Sequence, residues 1–220
     1  GGVTWTGTFT PTDDIEDATN VITVGTTLTD LAGNAPIAGK DSDNYTIDTK
    51  DPLVSSVVMS NSALKVGETS TLTITFSEAV TGFDNTDITL ENGTLTVVSS
   101  ADGGVTWTGT FTPTDDIEDA TNVITVGTAL TDLAGNAPLG GAGSSNYAID
   151  TTEPVISSVV MSDSDLISGE TSTLTITFSE AVTGFDNADI TVESGTLTAI
   201  SSADGGVTWT GTFTPTDDIE

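Results

Sequence analysis

The sequence predicts an all-β fold, a row of tandem seven-stranded β-sandwiches joined head to tail by short linkers. Three observations predict it. The chain repeats with a period of 102 residues: Gly1–Glu16 recurs letter for letter at Gly103–Glu118 and at Gly205–Glu220, residues 1–50 match 103–152 at 42 of 50 positions, and residues 51–118 match 153–220 at 56 of 68. A repeat of that length is a whole small domain, so the chain is a piece of a tandem array. Apolar residues alternate with threonine at period two, and no stretch carries a helical period.

The complete copy, residues 51–152, shows the elements in order. Val54–Ser60 opens it as a strand. Thr71–Ser77 follows, with Leu72, Ile74 and Phe76 on one face and threonines on the other. Asp87–Glu91 and Thr94–Ser100 flank Asn92-Gly93, a dipeptide that signals a hairpin and becomes Ser194-Gly195 in the next copy. Val105–Thr112 alternates again, setting Val105, Trp107, Gly109 and Phe111 against threonines, so Trp107 is read as core rather than as a ligand-stacking residue. Asn122–Val126 and Asn146–Asp150 close the set. Seven short strands in about 100 residues, with turns every 8–12, read as an immunoglobulin-like sandwich without the antibody disulfide and its packing tryptophan. Pro52 and Pro154 mark short, stiff boundaries, giving segments 1–50, 51–152 and 153–220.

Composition excludes several functions. Thirty-three acids face three basic residues, and histidine and cysteine are absent, for a net charge of −30. Almost nothing could neutralise phosphates, so nucleic acid is excluded as a partner, and adsorption to anionic membranes with it. No apolar run reaches the roughly 18–20 residues that span a bilayer. Disorder does not account for 35% hydrophobic residues in regular alternation. The lack of cysteine removes disulfides and thiol chemistry without assigning a compartment.

The acids are not spread over the strand faces, which carry threonine and serine; they gather in loops, linkers and strand ends. Tracing the strands up and down puts Glu78, Asp84, Asp87, Asp102 and Asp132 at one pole, and Asp115, Asp116, Glu118, Asp119 and Asp150 at the other. In a row, the bottom of one domain meets the top of the next. Asp115–Asp119, Asp150 and Glu153 would then approach Glu180, Asp186, Asp189 and Asp204. The equivalents in the other copies are Asp13, Asp14, Glu16, Asp17, Asp48 and Asp51 at the first joint, Asp30 at the opposite pole of that first copy, and Asp217, Asp218 and Glu220 at the far end. So many carboxylates repel unless a cation sits among them. An all-oxygen donor set suits Ca²⁺, which takes six to eight oxygens in flexible geometry, better than Mg²⁺, which keeps its waters. The alternative is that these are solvated loop residues, and for Asp132, in Asp-Leu-Ala-Gly-Asn136, a turn-stabilising role stands beside the metal one. Asp41 and Asp43 become Gly143 and Ser145 and are not counted; Glu68 and Glu91 read as surface residues.

The phrases Ser-Ser-Val-Val-Met-Ser, Thr-Ile-Thr-Phe-Ser-Glu-Ala-Val-Thr-Gly-Phe-Asp-Asn and Asp-Leu-Ala-Gly-Asn-Ala resemble the bacterial Ig-like repeats of large RTX-type surface adhesins, over the whole chain. The resemblance implies an extracellular extender: calcium-binding sandwiches between a membrane anchor and distal ligand-binding domains, whose ligand is not bound here. It also implies calcium at Glu78, Asp84, Asp87, the Asp115–Asp119 run and Asp150. The partners it implies are neighbouring repeats of the same chain.

Four readings of function compete. A spacer rigidified by Ca²⁺ at its joints leads; without the ion, the twelve net negative charges of a repeat would repel across every junction. A repeated low-affinity glycan-binding module needs exposed aromatics, and aromatics are 5% of the chain, with Phe76, Trp107 and Phe111 used by the core pattern. An enzyme would be left with paired-carboxylate chemistry, which needs one acid in an apolar cleft rather than acids among acids. A merely halophilic protein would carry its acids on strand faces. Finally, residues 1–50 hold the last three strands of a sandwich and 153–220 the first five. The expectation is that the ends complete each other between copies or belong to a longer array; bare inner faces on both would count against it.

Overall fold

The computed structural model describes residues 3–217, in two compact units that divide between Thr151 and Thr152. Both are built of strands, with two single-turn 3-10 helices at Asn85–Asp87 and Asn187–Asp189 among the described residues.

The complete repeat in the first unit is a sandwich. One sheet runs in the order Gly93–Leu95, Thr106–Pro113, Ser70–Phe76, Val54–Met59, with Ser99–Ser100 also on Thr106–Pro113. Its alternation places Leu72, Ile74, Phe76, Phe111 and Val57 inward, and all are buried. The opposing layer is pieced from shorter ladders. Glu118–Asn122 pairs with Tyr147–Asp150, which runs parallel to Ala63–Lys65; Thr125–Val126 lies between Ala142–Gly143 and Ile88–Thr89; Thr131–Asp132 pairs with Val80–Thr81. Leu64, Ile124, Val126, Leu130, Tyr147 and Ile149 seal the core from this side. Burying a side chain of this size contributes about 1.5–3 kcal/mol each, which is why a cysteine-free domain of this length can hold together.

The structure departs from the expected elements at several points. Asn92-Gly93 does not close a hairpin, because Ile88–Thr89 lies in one layer and Gly93–Leu95 in the other. The turn carries the chain between sheets: Asn92 takes a left-handed φ of 56°, and its amide bonds Asp119 Oδ2 and Asn122 Oδ1, both at 2.9 Å. Glu118 and Asp119 stand in a strand rather than a loop. Trp107 is half-buried, edge-on to Phe83 at 5.3 Å, with its indole N–H donated to Gly104 O at 2.9 Å.

Residues 3–50 form two small ladders, Glu16–Asn20 with Tyr45–Asp48 and Thr23–Val24 with Lys40–Asp41. Val21, Ile22, Val24 and Leu28 stay open to solvent, while Tyr45 and Ile47 are half-buried. The second unit, taken by itself, has the sheet Ile156–Met161, Ser172–Phe178, Thr208–Pro215, Gly195–Leu197 and a smaller buried cluster of Leu174, Ile176 and Phe178. Its inner face is also open. Both end segments leave much of their inner face open, because three or five strands bring no opposing layer of their own.

Candidate metal centre

Three acids from the two sides of a repeat boundary converge in the first unit. Asp48, Glu78 and Asp132 each present a carboxylate oxygen within 4.8 Å of the other two. Local sequence explains each position. Asp132 opens the Asp-Leu-Ala-Gly-Asn loop, where Gly135 takes φ +101°. Its Oδ1 accepts the N–H groups of Ala134, Gly135 and Asn136 at 2.7–2.8 Å, and its Oδ2 accepts the Asn136 amide at 2.8 Å. The strand pairing of Asp132 with Val80 sets it beside Glu78, two residues upstream. Ser77 exchanges hydrogen bonds with Leu53, its N–H to Leu53 O and its Oγ from Leu53 N–H, both 2.9 Å, which draws the linker back to the strand end. Asp48 ends the last strand of the preceding repeat, opposite Glu16. Asn136 then spans the boundary, donating its amide to Asp48 O at 3.2 Å.

The electrostatics are unbalanced. Oε1 of Glu78 is buried without a hydrogen-bond partner. Burial first, then the charges of Asp48, Asp132 and Glu16, raise the Glu78 carboxyl above its usual range, and Lys50 offsets only part of this. Lys50 instead stands 3.8 Å from Glu16, an exposed pair of small energetic weight. Burial also pushes Asp132 upward, but its hydrogen bonds to Asn136, Gly135 and Ala134 outweigh it and leave the group below the usual carboxylate range. A buried acceptor atom facing two further carboxylates, with no cationic side chain in the trio, fits a hard divalent ion.

The remaining predicted site residues lie outside this trio. Asp84 caps the 3-10 turn, accepting from Thr86 N–H at 2.7 Å, while Asp87 Oδ2 accepts from Asp84 N–H at 3.0 Å. Asp186 and Asp189 repeat that capping box. Asp102 accepts from Thr106 N–H and Ser100 Oγ, both 2.8 Å, which hold it down to about 2; Asp204 is held the same way. Asp119 and Asp17 accept from Thr121 N–H and Thr19 N–H at 2.9 Å. Asp30 folds its own loop as Asp132 does, through Ala32 and Asn34. Asp217 accepts from Ser168 Oγ at 3.1 Å. Asp13, Asp14, Glu16, Asp115, Asp116, Glu118, Asp150 and Glu153 are exposed, and Asp51 is half-buried. Glu180 matches Glu78 in having a buried, unpartnered Oε1. Asp218 and Glu220 lie outside the described residues. The sequence reading places Asn136 only in a turn; its spacing four residues after Asp132 signals the bond to Asp132, and nothing local signals the reach to Asp48.

Fold and boundary together define a class: tandem immunoglobulin-like sandwiches that share a carboxylate group at the joint. The chain belongs to the bacterial Ig-like domain family, whose model matches it in three consecutive segments, residues 1–47, 48–149 and 150–220. The second and third segments begin at Asp48 and Asp150, three residues before the expected boundaries at 51 and 153. No curated protein matches the chain.

Proposed function

We propose that this chain is a structural spacer of a bacterial cell-surface adhesin, an extracellular rod whose joints are stiffened by Ca²⁺ and which carries a distal adhesive domain. The observation that carries the reading is the convergence of Asp48, from one repeat, with Glu78 and Asp132, from the next, around a buried and unpartnered Glu78 oxygen. In this reading those three acids hold the ion. Asn136 and the loop N–H groups keep Asp132 and Asp48 in place, and the ion supplies the positive charge that the side chains lack. A ligand bridging two repeats removes their relative freedom, because its affinity is realised only when both present their oxygens together. Calcium near millimolar outside cells suits numerous weak sites. The part played here is mechanical, not catalytic.

The test is a calorimetric Ca²⁺ titration of the chain, with melting and small-angle scattering recorded with and without EDTA. Heat of binding that disappears in Glu78→Gln, together with a melting temperature lowered by EDTA, is expected. Melting and scattering profiles that do not change with Ca²⁺ would overturn the reading.

A further inference from the structure

Independently of calcium, we propose that Asn92-Gly93 is a self-modification site gated by folding: an intramolecular deamidation that the folded repeat blocks, that its unfolding releases, and whose product keeps the repeat from closing again.

Asn92 is the one asparagine of the chain that glycine follows. Glycine has no Cβ to hinder its own main-chain nitrogen, so in a flexible chain that nitrogen reaches the asparagine side chain readily. It attacks Cγ of Asn92. The side-chain nitrogen leaves as ammonia, taking up the proton that the Gly93 nitrogen gives up, and a cyclic imide closes. Water then opens either of the imide's C–N bonds. One opening leaves aspartate at position 92. The other leaves a main chain that runs on through the side-chain carbons of that residue and is longer by a methylene. Water in and ammonia out balance the step, and nothing is oxidised or reduced.

The fold holds the reacting groups apart. Asn92 gives its side-chain amide to Asp119 Oδ2 and Asn122 Oδ1, both at 2.9 Å, on a strand of the opposing layer. Its main-chain carbonyl accepts the Thr114 N–H at 2.9 Å, and Gly93 lies where a single added carbon would stand 2.3 Å from the Phe111 ring. Bringing the amide onto the Gly93 nitrogen breaks two hydrogen bonds and needs a main-chain rotation that Thr114 and Phe111 oppose. Reaction therefore waits for the turn to open.

The same contacts reject the product. Asn122 is buried, and its own amide is committed to Asp119 O at 3.0 Å and Tyr147 O at 3.3 Å, so toward residue 92 it presents only its oxygen. A carboxylate at 92 would face that oxygen and the Asp119 carboxylate, acceptors without a donor among them. The lengthened isomer fits less well still, since its extra methylene must be housed where the chain passes beneath Phe111. The turn itself does not require this chemistry. In the second unit Ser194 holds the same left-handed corner, with φ 55° against 56°, and accepts the Thr216 N–H as Asn92 accepts that of Thr114. The next copy keeps the corner without the reactive amide.

The test follows the 220-residue chain in mildly alkaline buffer, native and in urea sufficient to melt the complete repeat, with deamidation read by mass spectrometry of its proteolytic peptides. Deamidation at Asn92 roughly tenfold or more slower in the native chain is expected, because it proceeds through the open turn. After long incubation in urea and then dilution, the fraction of chains that regain native tryptophan fluorescence should fall in step with the fraction modified at Asn92. Asn92→Ser should recover better after the same incubation. The Asp-Gly pairs at 102–103 and 204–205, which can isomerise, are present in both chains, so the difference isolates Asn92. Asn92→Asp should melt below Asn92→Ser, which loses the same two hydrogen bonds but brings no charge. Equal rates in native buffer and in urea, refolding that does not follow the modification, or Asn92→Asp melting as high as Asn92→Ser would each overturn the proposal.

Discussion

Asn136 donates its side-chain amide to the main-chain carbonyl of Asp48 at 3.2 Å, across 88 positions of sequence, while the same amide serves Asp132 at 2.8 Å. One neutral side chain thus ties a loop of one repeat to the last strand of the repeat before it. The acids around it cannot make that contact themselves, because carboxylates without protons only accept.

Removing the latch tests its weight. Asn136→Ala deletes both hydrogen bonds and leaves the backbone turn of Asp132 with its three N–H donors. At about 1 kcal/mol for each net bond, the loss should show as a lower melting temperature even in EDTA. Calcium affinity measured by calorimetry should fall with it, because Asp48 is no longer held toward Glu78. An Asn136→Ala chain with unchanged melting and unchanged Ca²⁺ binding would mean that the contact is incidental.

Glu78 sets a pH dependence with a definite sign. Its folded carboxyl is raised by burial and by Asp48, Asp132 and Glu16. A raised acid binds its proton more tightly when folded, so its contribution is fully present below the unfolded value of 4.5 and is lost as pH rises through the higher folded value. In EDTA, Glu78→Gln should therefore melt higher than the parent at neutral pH and show no such advantage below pH 4.5. With Ca²⁺ present the order at neutral pH should reverse. Thermal melts at the two pH values, with and without the ion, decide it.

Asp102 runs the other way. Thr106 N–H, Ser100 Oγ and Thr106 Oγ1 hold its carboxyl down to about 2 from an ordinary 3.8. A depressed acid contributes above its unfolded value, and that contribution is lost as pH falls through about 2. The side chain is exposed, so the effect is one of direction and local order. An NMR titration should find Asp102 and Asp204 titrating together below most of the other carboxylates, and the Thr106 amide should move with them.

What could be read from the sequence, and what could not, separates along one line. The alternation in Thr71–Ser77 was enough to assign the buried face, because period two fixes which side chains share a face whatever the partner. The partner itself is not written locally. Residues 4–11 are identical to 106–113 and 208–215, yet only the latter two are strands; each pairs with a Ser-Thr-Leu-Thr-Ile-Thr-Phe strand, and residues 4–11 have no such partner among the described residues. The Asn92-Gly93 turn misleads for the same reason, since a left-handed corner suits a crossing between layers as well as a hairpin. At the joint, the gathering of acids was legible from their absence on strand faces. Which three converge was not, because that depends on Ser77 holding Leu53 and on Asn136 reaching Asp48.

Gly93 offers a test of the crossing itself. A Cβ built there would stand 2.3 Å from the Phe111 ring and 2.7 Å from the Thr112 carbonyl oxygen. Phe111 is fully buried and edge-on to Tyr147 at 5.5 Å, so the ring has no space into which to retreat. The turn residue before it is pinned by Asp119 and Asn122, so the backbone cannot yield without breaking those bonds. Gly93→Ala should therefore destabilise the repeat by about 1–3 kcal/mol, the usual cost of forcing a methyl into a filled core. Gly140→Ala, where nothing lies within 4 Å of the added carbon, is the matched control and should leave melting nearly unchanged. If denaturant titrations find the two variants equally stable, Gly93 is not the point at which the chain must pass beneath Phe111 to change layers.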